Sequence, residues 1–479
     1  MTWSASGELG FQAIRFAFGI ALARLLSPGD FGLMAMLMVL LTFAVGNSDL
    51  GFEEAIIQKR GVAQTHYASV FWSTLLSAVV LMAGLIAAAP WIARFYGVPE
   101  LSTVARLLSV LFLLRALGTV PRAIIARRLD FRVAAARRCL AVGLAGACAV
   151  TLAWRGFGVF SLVAEALVST GMEALLFFGA SQWRPTLELR AAALRDLTGF
   201  SAFRPAARTL NYWAVRIDQL LIGKLLGSIE LGLYARAFNL ARFPVMSTSR
   251  VIVDVLFPSL SLIQEDARRV RGVYLRATGA IALVAVPMCL GLCAAAEPFV
   301  LGVLGPQWRD AIPILRILSV TGLFQSLTVF ATSLYLSQGR TALLLRLTIV
   351  QRVSMIAAIV IALRWGVRGV AIAQLLSAIL TTLPMLYFAG TLIDLSLRVV
   401  LAYLSRVFLA GVVMMALVFA VGGWAAPRLA PIEALGLEVV SGIAAYWGAL
   451  RLFRADAYRD VVKILARRSP AAGDPLVAG

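Results

Sequence analysis

A chain of 479 residues that is 61% hydrophobic and only 14% charged, with a mean hydropathy of +0.89, is not a run of ordinary soluble domains. Such domains carry about 25% charged residues. A net charge of +20 would suggest a nucleic-acid partner in a soluble protein. Here most basic residues flank apolar runs, where they set orientation in a bilayer, so no nucleic-acid partner is expected.

Apolar runs long enough to cross a ~30 Å hydrocarbon core recur along the whole chain. In the first half they predict helices over 7–26, 31–56, 67–89, 102–125, 138–154 and 157–181. Arg15 and Arg24 interrupt the first run and no basic start precedes it, so it is expected to stay as helix 1 rather than leave as a signal peptide. The polar stretch 183–196 then separates the halves. The second half predicts helices over 198–224, 231–257, 273–295, 311–336, 341–363 and 367–390, with two more over 403–422 and 435–453. The fold class is therefore an all-α integral membrane protein with about fourteen spans. Its expected domains are an N-lobe (1–182), a cytoplasmic linker (183–196), a C-lobe (197–390), two further spans (391–454) and an unstructured cytoplasmic tail (455–479).

Arginine placement supports this count. With a cytoplasmic N-terminus, the even-numbered loops and the tail hold 24 basic residues, including Arg127, Arg128, Arg184, Arg268 and Arg467. The opposite side holds 8, among them Arg24, Arg155, Lys224 and Arg368. A bias of this size across so many loops is what the positive-inside rule predicts, and it places both termini in the cytoplasm of a multi-pass protein, expected in the cell's inner membrane from the resemblance given below.

At an offset of 200 residues, RLLSPGDFGLMA (24–35) aligns with KLLGSIELGLYA (224–235). Both copies fall in the outer hairpin joining the first two helices of a half. Two parallel six-helix lobes follow from this, a plan in which substrate is handled between the repeats.

Twelve arginines remain inside the predicted spans: Arg15, Arg106, Arg115, Arg122, Arg204, Arg208, Arg216, Arg236, Arg242, Arg250, Arg316 and Arg352. Each costs roughly 2.5–3.5 kcal/mol at a helix centre, so deep ones normally face protein or water. Arg122, Arg250 and Arg352 lie near helix ends and are expected to snorkel. Helical spacing groups the others. Glu8, Gln12 and Arg15 form a polar stripe on helix 1; Arg204, Arg208, Asn211 and Asp218 form one on helix 7; Arg236, Asn239 and Asp254 form one on helix 8. Two readings stand. The stripes line a shared, net-positive, water-filled cavity, or the charges pair with Asp49, Asp218, Asp254, Glu165 and Glu173 to join helices. In the first, Arg15, Arg204, Arg208 and Arg236 are the substrate-binding residues, because a guanidinium gives an anion two donors without losing its charge. Asp49, Asp218 and Asp254 are either proton- or cation-coupling groups or structural partners.

Cys139, Cys148, Cys289 and Cys293 read as small buried residues, with neither a disulfide nor a zinc site expected. The single histidine, His66, reads as a bystander in a short loop. No paired carboxylates, P-loop or Ser/His/Asp set stands out, and the longest outer loops are only about 90–101, 296–310 and 423–434. The chain is accordingly expected to be no enzyme, with no cofactor and no metal.

The runs ARLLSPGDFGLMAM (23–36), SDLGFEEAIIQ (48–58), RIDQLLIGKLLGSIELGLYARAFNLARFP (216–244), VLFPSLSLIQED (255–266) and LGPQWRDAIPILRILS (304–319) resemble the polysaccharide transporter, or Wzx-like, branch of the multidrug/oligosaccharidyl-lipid/polysaccharide (MOP) flippase superfamily. The resemblance covers nearly the whole chain and weakens after residue 390. It implies two six-helix lobes in a V around a central cavity, with helices 13 and 14 outside. It also implies passage of an undecaprenyl-pyrophosphate-linked oligosaccharide across the cytoplasmic membrane for exopolysaccharide or lipopolysaccharide O-antigen synthesis. For Arg15, Arg204, Arg208 and Arg236 it implies phosphate contacts. The partners so implied are the lipid-linked oligosaccharide, membrane lipids and a polysaccharide polymerase with its export machinery; the chain itself is read as a monomer. A peptidoglycan-precursor flippase shares the pyrophosphate and stays open. A drug exporter would favour an acidic cavity, and a membrane polymerase a large outer loop.

Overall fold

The computed structural model describes residues 2–48, 51–59, 61–128, 130–198, 204–244, 263–264 and 266–460. All regular structure among them is helical. The chain divides into two compact units, Met1–Ala235 and Arg236–Gly479.

The first unit begins with α1 (Thr2–Leu25) and α2 (Pro28–Ser48). Their junction is built locally. Ser27 Oγ accepts from Asp30 N at 3.2 Å while the Asp30 carboxylate accepts from Ser27 N at 2.9 Å, a reciprocal cap with Pro28 at the first helical position. The predicted helix over 31–56 is two elements, because Gly51 takes φ +82 and turns the chain before α3 (Phe52–Gln58). Next come α4 (Gln64–Tyr96), α5 (Glu100–Leu108), α6 (Val110–Arg127), α7 (Phe131–Trp154) and α8 (Val159–Ser181). The stretch that sequence treats as a linker carries α9 (Ala191–Thr198), followed by α10 (Arg204–Leu225) and the first half of α11 (228–244), whose remaining residues belong to the second unit.

Within this unit α1 lies on α7, and α8 lies against α6 and α7. Between membrane helices there is no hydrophobic drive, so close approach through small residues holds the packing. A Cβ on Gly7 would overlap Ala135, and one on Gly146 would overlap the Phe18 ring. The linker is docked rather than slack. Trp72 Nε1 donates to Thr186 O at 2.8 Å, Gln64 Nε2 to Arg184 O at 3.0 Å and Arg190 N to Ser69 Oγ at 3.0 Å.

The second unit holds α12 (Ala267–Ala294), the short α13 (Ala296–Phe299), a π-helical turn Val300–Leu304, and α14 (Ala311–Ser337). α15 (Thr341–Ala362), α16 (Gly366–Thr391), α17 (Leu397–Ala425) and α18 (Pro431–Leu452) complete it. Its core is the stack of Tyr274 on Phe330, centroids 5.6 Å apart, with Ile281, Val286, Val407 and Met414 buried around it. The first turn of the predicted tail, 456–460, is helical and tied to α17, since Tyr403 Oη donates to Asp460 Oδ2 at 2.9 Å.

Fourteen long helices among the described residues thus stand close to the fourteen predicted spans. Nine stretches of the described residues are long and apolar enough to cross a bilayer. Leu380 on α16 is 71% exposed and Val440 on α18 is 67% exposed, in rows with other bare aliphatic side chains. Apolar surface this continuous belongs against lipid. The protein is an all-α, multi-pass membrane protein.

Candidate functional site

Four helices of the first unit, α2, α6, α8 and α10, line an open cavity of about 310 Å³. Its apolar wall is Met38, Leu41, Phe43 and Leu111, and its polar groups are Thr42, Arg115, Thr170 and Tyr212. Tyr212 is held in place: its hydroxyl donates to Val39 O at 2.6 Å and its ring lies 5.7 Å from that of Phe43. Arg115 brings a permanent cation to membrane depth, and facing a cavity spares it the cost of facing lipid. Such a wall offers a fixed positive charge and hydroxyl groups to an anionic, hydroxylated guest. Sequence reading counts Arg115 among the intramembrane arginines and does not select it. Only the assembly of four helices shows where it points.

The predicted site residues fall in different settings. Arg204 and Arg208 occupy the first turns of α10, two turns and one turn before Tyr212; their side chains lie outside the described ones. Arg15 stands exposed on α1, off the row of Gly7, Gly10 and Phe18 that meets α7. Arg236, half-buried on α11, is the second repeat's counterpart of Met36, which is fully buried on α2. Asp218 is 1% exposed. Its Oδ2 accepts from Tyr234 Oη at 2.6 Å and its Oδ1 from Gln219 N at 2.8 Å, which ties α10 to α11. Asp49 and Asp254 lie outside the described residues.

Other charged groups are paired across helices. Arg122 does not snorkel; its Nη2 lies 3.4 Å from Glu53 Oε2 on α3. Lys59 binds Asp196 of α9, and His66 Nε2 reaches the same carboxylate oxygen at 3.2 Å. His66 is therefore no bystander: it caps α4, accepting from Ala63 N at 3.2 Å, and helps to hold α9. The bonds from Lys59 and then His66 keep the Asp196 carboxyl below the usual carboxylate range. Cys289 and Cys293 are buried free thiols.

In the second unit α15 and α16 leave a groove of about 780 Å³, lined by Leu347, Val350, Ile361, Ile372, Leu376 and Leu380. Trp365 and Arg368 stand at one end of it, and Gln351 and Thr381 lie along it.

The sequence profile of the polysaccharide biosynthesis protein family matches residues 21–313. The chain belongs to that family. It is 28% identical over 319 residues to the succinoglycan biosynthesis transport protein ExoT of Rhizobium meliloti (strain 1021), covering 67% of this chain and 65% of that one. It is 27% identical over 384 residues to the lipopolysaccharide biosynthesis protein WzxC of Escherichia coli (strain K12), covering 80% and 78%. The match thus spans just under two thirds of the length of ExoT and more of WzxC. Among solved structures, the lipid II flippase MurJ in an inward closed conformation superposes with a TM-score of 0.74 at 13% identity, over 96% of this chain and 100% of that chain. An inward-facing multidrug resistance MATE family transporter of the MOP superfamily gives 0.62 at 16% identity, over 80% and 96%. These likenesses establish the fold, and the family match bears out the Wzx-like resemblance read from the motifs.

Proposed function

We propose that this protein is a flippase that moves undecaprenyl-pyrophosphate-linked oligosaccharide repeat units from the cytoplasmic to the outer leaflet. The observation that carries this reading is the coincidence of a polysaccharide-biosynthesis sequence with a transporter fold. The relatives named for succinoglycan and lipopolysaccharide synthesis favour an exopolysaccharide or O-antigen unit over a peptidoglycan precursor. In this reading both termini are cytoplasmic, the membrane is the inner one, and the protein moves its substrate without chemistry.

In this reading Arg15, Arg204, Arg208 and Arg236 are the pyrophosphate contacts, and the hydroxyl-lined cavity beside Tyr212 and Arg115 receives sugar. Alternating access between the two lobes then carries the polar head across while the lipid stays in the bilayer.

The test is leaflet-resolved labelling of undecaprenyl-linked oligosaccharide in cells lacking the gene. Repeat units held on the cytoplasmic leaflet while synthesis continues support the flippase. Units that reach the outer leaflet and stay unpolymerised overturn it in favour of a polymerase.

A further inference from the structure

α18 carries an acid into the packed interior, one turn past the buried Ala434. Glu438 is only 3% exposed, and its Oε2 has no hydrogen-bond partner. The other oxygen, Oε1, sits 2.5 Å from where a Cβ on Gly422 would stand, so α17 seats this carboxyl in a slot the width of a glycine. A buried ionised carboxylate with no donor is the costly form of the group.

The elements packed on Glu438 supply few charges. α13 brings Glu297, α14 brings Arg316, and α12 brings the buried thiol of Cys293; the last four turns of α17 carry no charged residue. On α18 itself Glu433 is occupied, its Oε2 accepting from Ala430 N at 3.1 Å. Arg316 Nη2 binds Glu297 Oε2 at 3.3 Å, and its guanidinium lies 5.8 Å from the Phe419 ring centroid. Its Nε is buried with no acceptor. One guanidinium therefore serves two carboxylates, and it is bound to the more exposed of them. Arg316 and Glu297 have side chains 38% and 57% exposed, so that pair stands at the protein surface while Glu438 is buried. Glu297 also lies three residues before the π-helical turn Val300–Leu304, an irregularity common at functional positions.

We propose that Glu438 is a proton-binding site: it holds a proton while Glu297 engages Arg316, and releases it when Arg316 turns to Glu438. The orphaned acceptor and the orphaned donor of one cluster are then the two halves of its second state.

The test is infrared difference spectroscopy of the full chain in lipid, wild type minus Glu438→Gln, which keeps the shape and removes the titration. A protonated-carboxyl carbonyl band that falls at least about tenfold between about pH 6 and about pH 9 is expected. Should the glutamine variant fail to fold, Gly422→Ala, which presses on Oε1, is expected to shift the frequency of the same band. No band, or one that stays constant across this range, overturns the proposal. Loss of the band on adding sodium at fixed pH overturns it in favour of a metal-cation site. A transport readout rests on the flippase reading and the spectroscopy does not. Under both, Glu438→Gln makes export insensitive to the proton gradient, whereas a titrating band in a protein whose loss leaves repeat units reaching the outer leaflet sinks the flippase and keeps the site.

Discussion

Gly32 and Gly232, equivalent positions of the 200-residue repeat, cross backbone against backbone. A Cβ on Gly32 would overlap the Ser228 carbonyl, and one on Gly232 would overlap the Pro28 carbonyl and stand 3.0 Å from Gly32 N. Ser228 and Pro28 are themselves equivalent, so the contact is reciprocal, as a two-fold relation between the two hairpins requires.

Gly32→Ala and Gly232→Ala are each expected to destabilise the protein by about 1–3 kcal/mol, because the obstacle is backbone that has no rotamer to yield. The double variant should fall short of the sum, since one separation relieves both clashes. Thermal unfolding of the protein in detergent measures this. Gly84→Ala and Gly143→Ala, where nothing lies within 4 Å of the new methyl, are the neutral controls.

Tyr234→Phe removes the hydroxyl that donates to Asp218 inside the packed first unit. A loss of about 1–3 kcal/mol is expected, the range for withdrawing a donor from a buried group. An unfolding midpoint unchanged from wild type would show that Asp218 is held by its other contacts alone.

Arg204→Ala with Arg208→Ala is expected to lower export while the protein still inserts at normal levels. Lysine at either site should restore only part of it, since a point charge does not reproduce the guanidinium fork. Normal export by the double variant would remove α10 from the proposed phosphate path.

The hold on α9 should depend on pH. The Asp196 carboxyl is kept below its ordinary range by Lys59 and His66, so the folded form binds a proton less readily than the unfolded one. Its stabilisation is complete above the usual carboxylate range and disappears as the pH falls through the lowered value. Hydrogen exchange over 191–198, taken relative to the intrinsic rate at each pH, should be slow at neutral pH and accelerate in acid. Asp196→Asn should show the fast exchange at neutral pH as well.

Much of this architecture is legible in the order of residues. Apolar runs of span length and the arginines between them mark nearly every long helix, since lipid admits no other pattern. What sequence does not reveal depends on single backbone angles and distant partners. Gly51 ends a helix inside a run that reads as continuous, and its positive φ is not a compositional signal. The docking of 183–198 rests largely on backbone carbonyls such as Thr186 O, which carry no residue identity. Glu438 looks like one more acid near a helix start until Gly422 and Arg316 are seen beside it. The same holds for Arg115, one of twelve intramembrane arginines until it is seen on one cavity wall with residues of α2, α8 and α10.

The glycine crossing has a consequence for how the two halves of the gene can change. At most repeated positions the copies are free to specialise, as Met36 and Arg236 have done, one filling a core and the other carrying a charge. At positions 32 and 232 each copy's missing side chain makes room for the other copy's main chain. Neither half can drift there alone, so a duplication that elsewhere permits divided labour binds its two products to a common ancestral residue at this point.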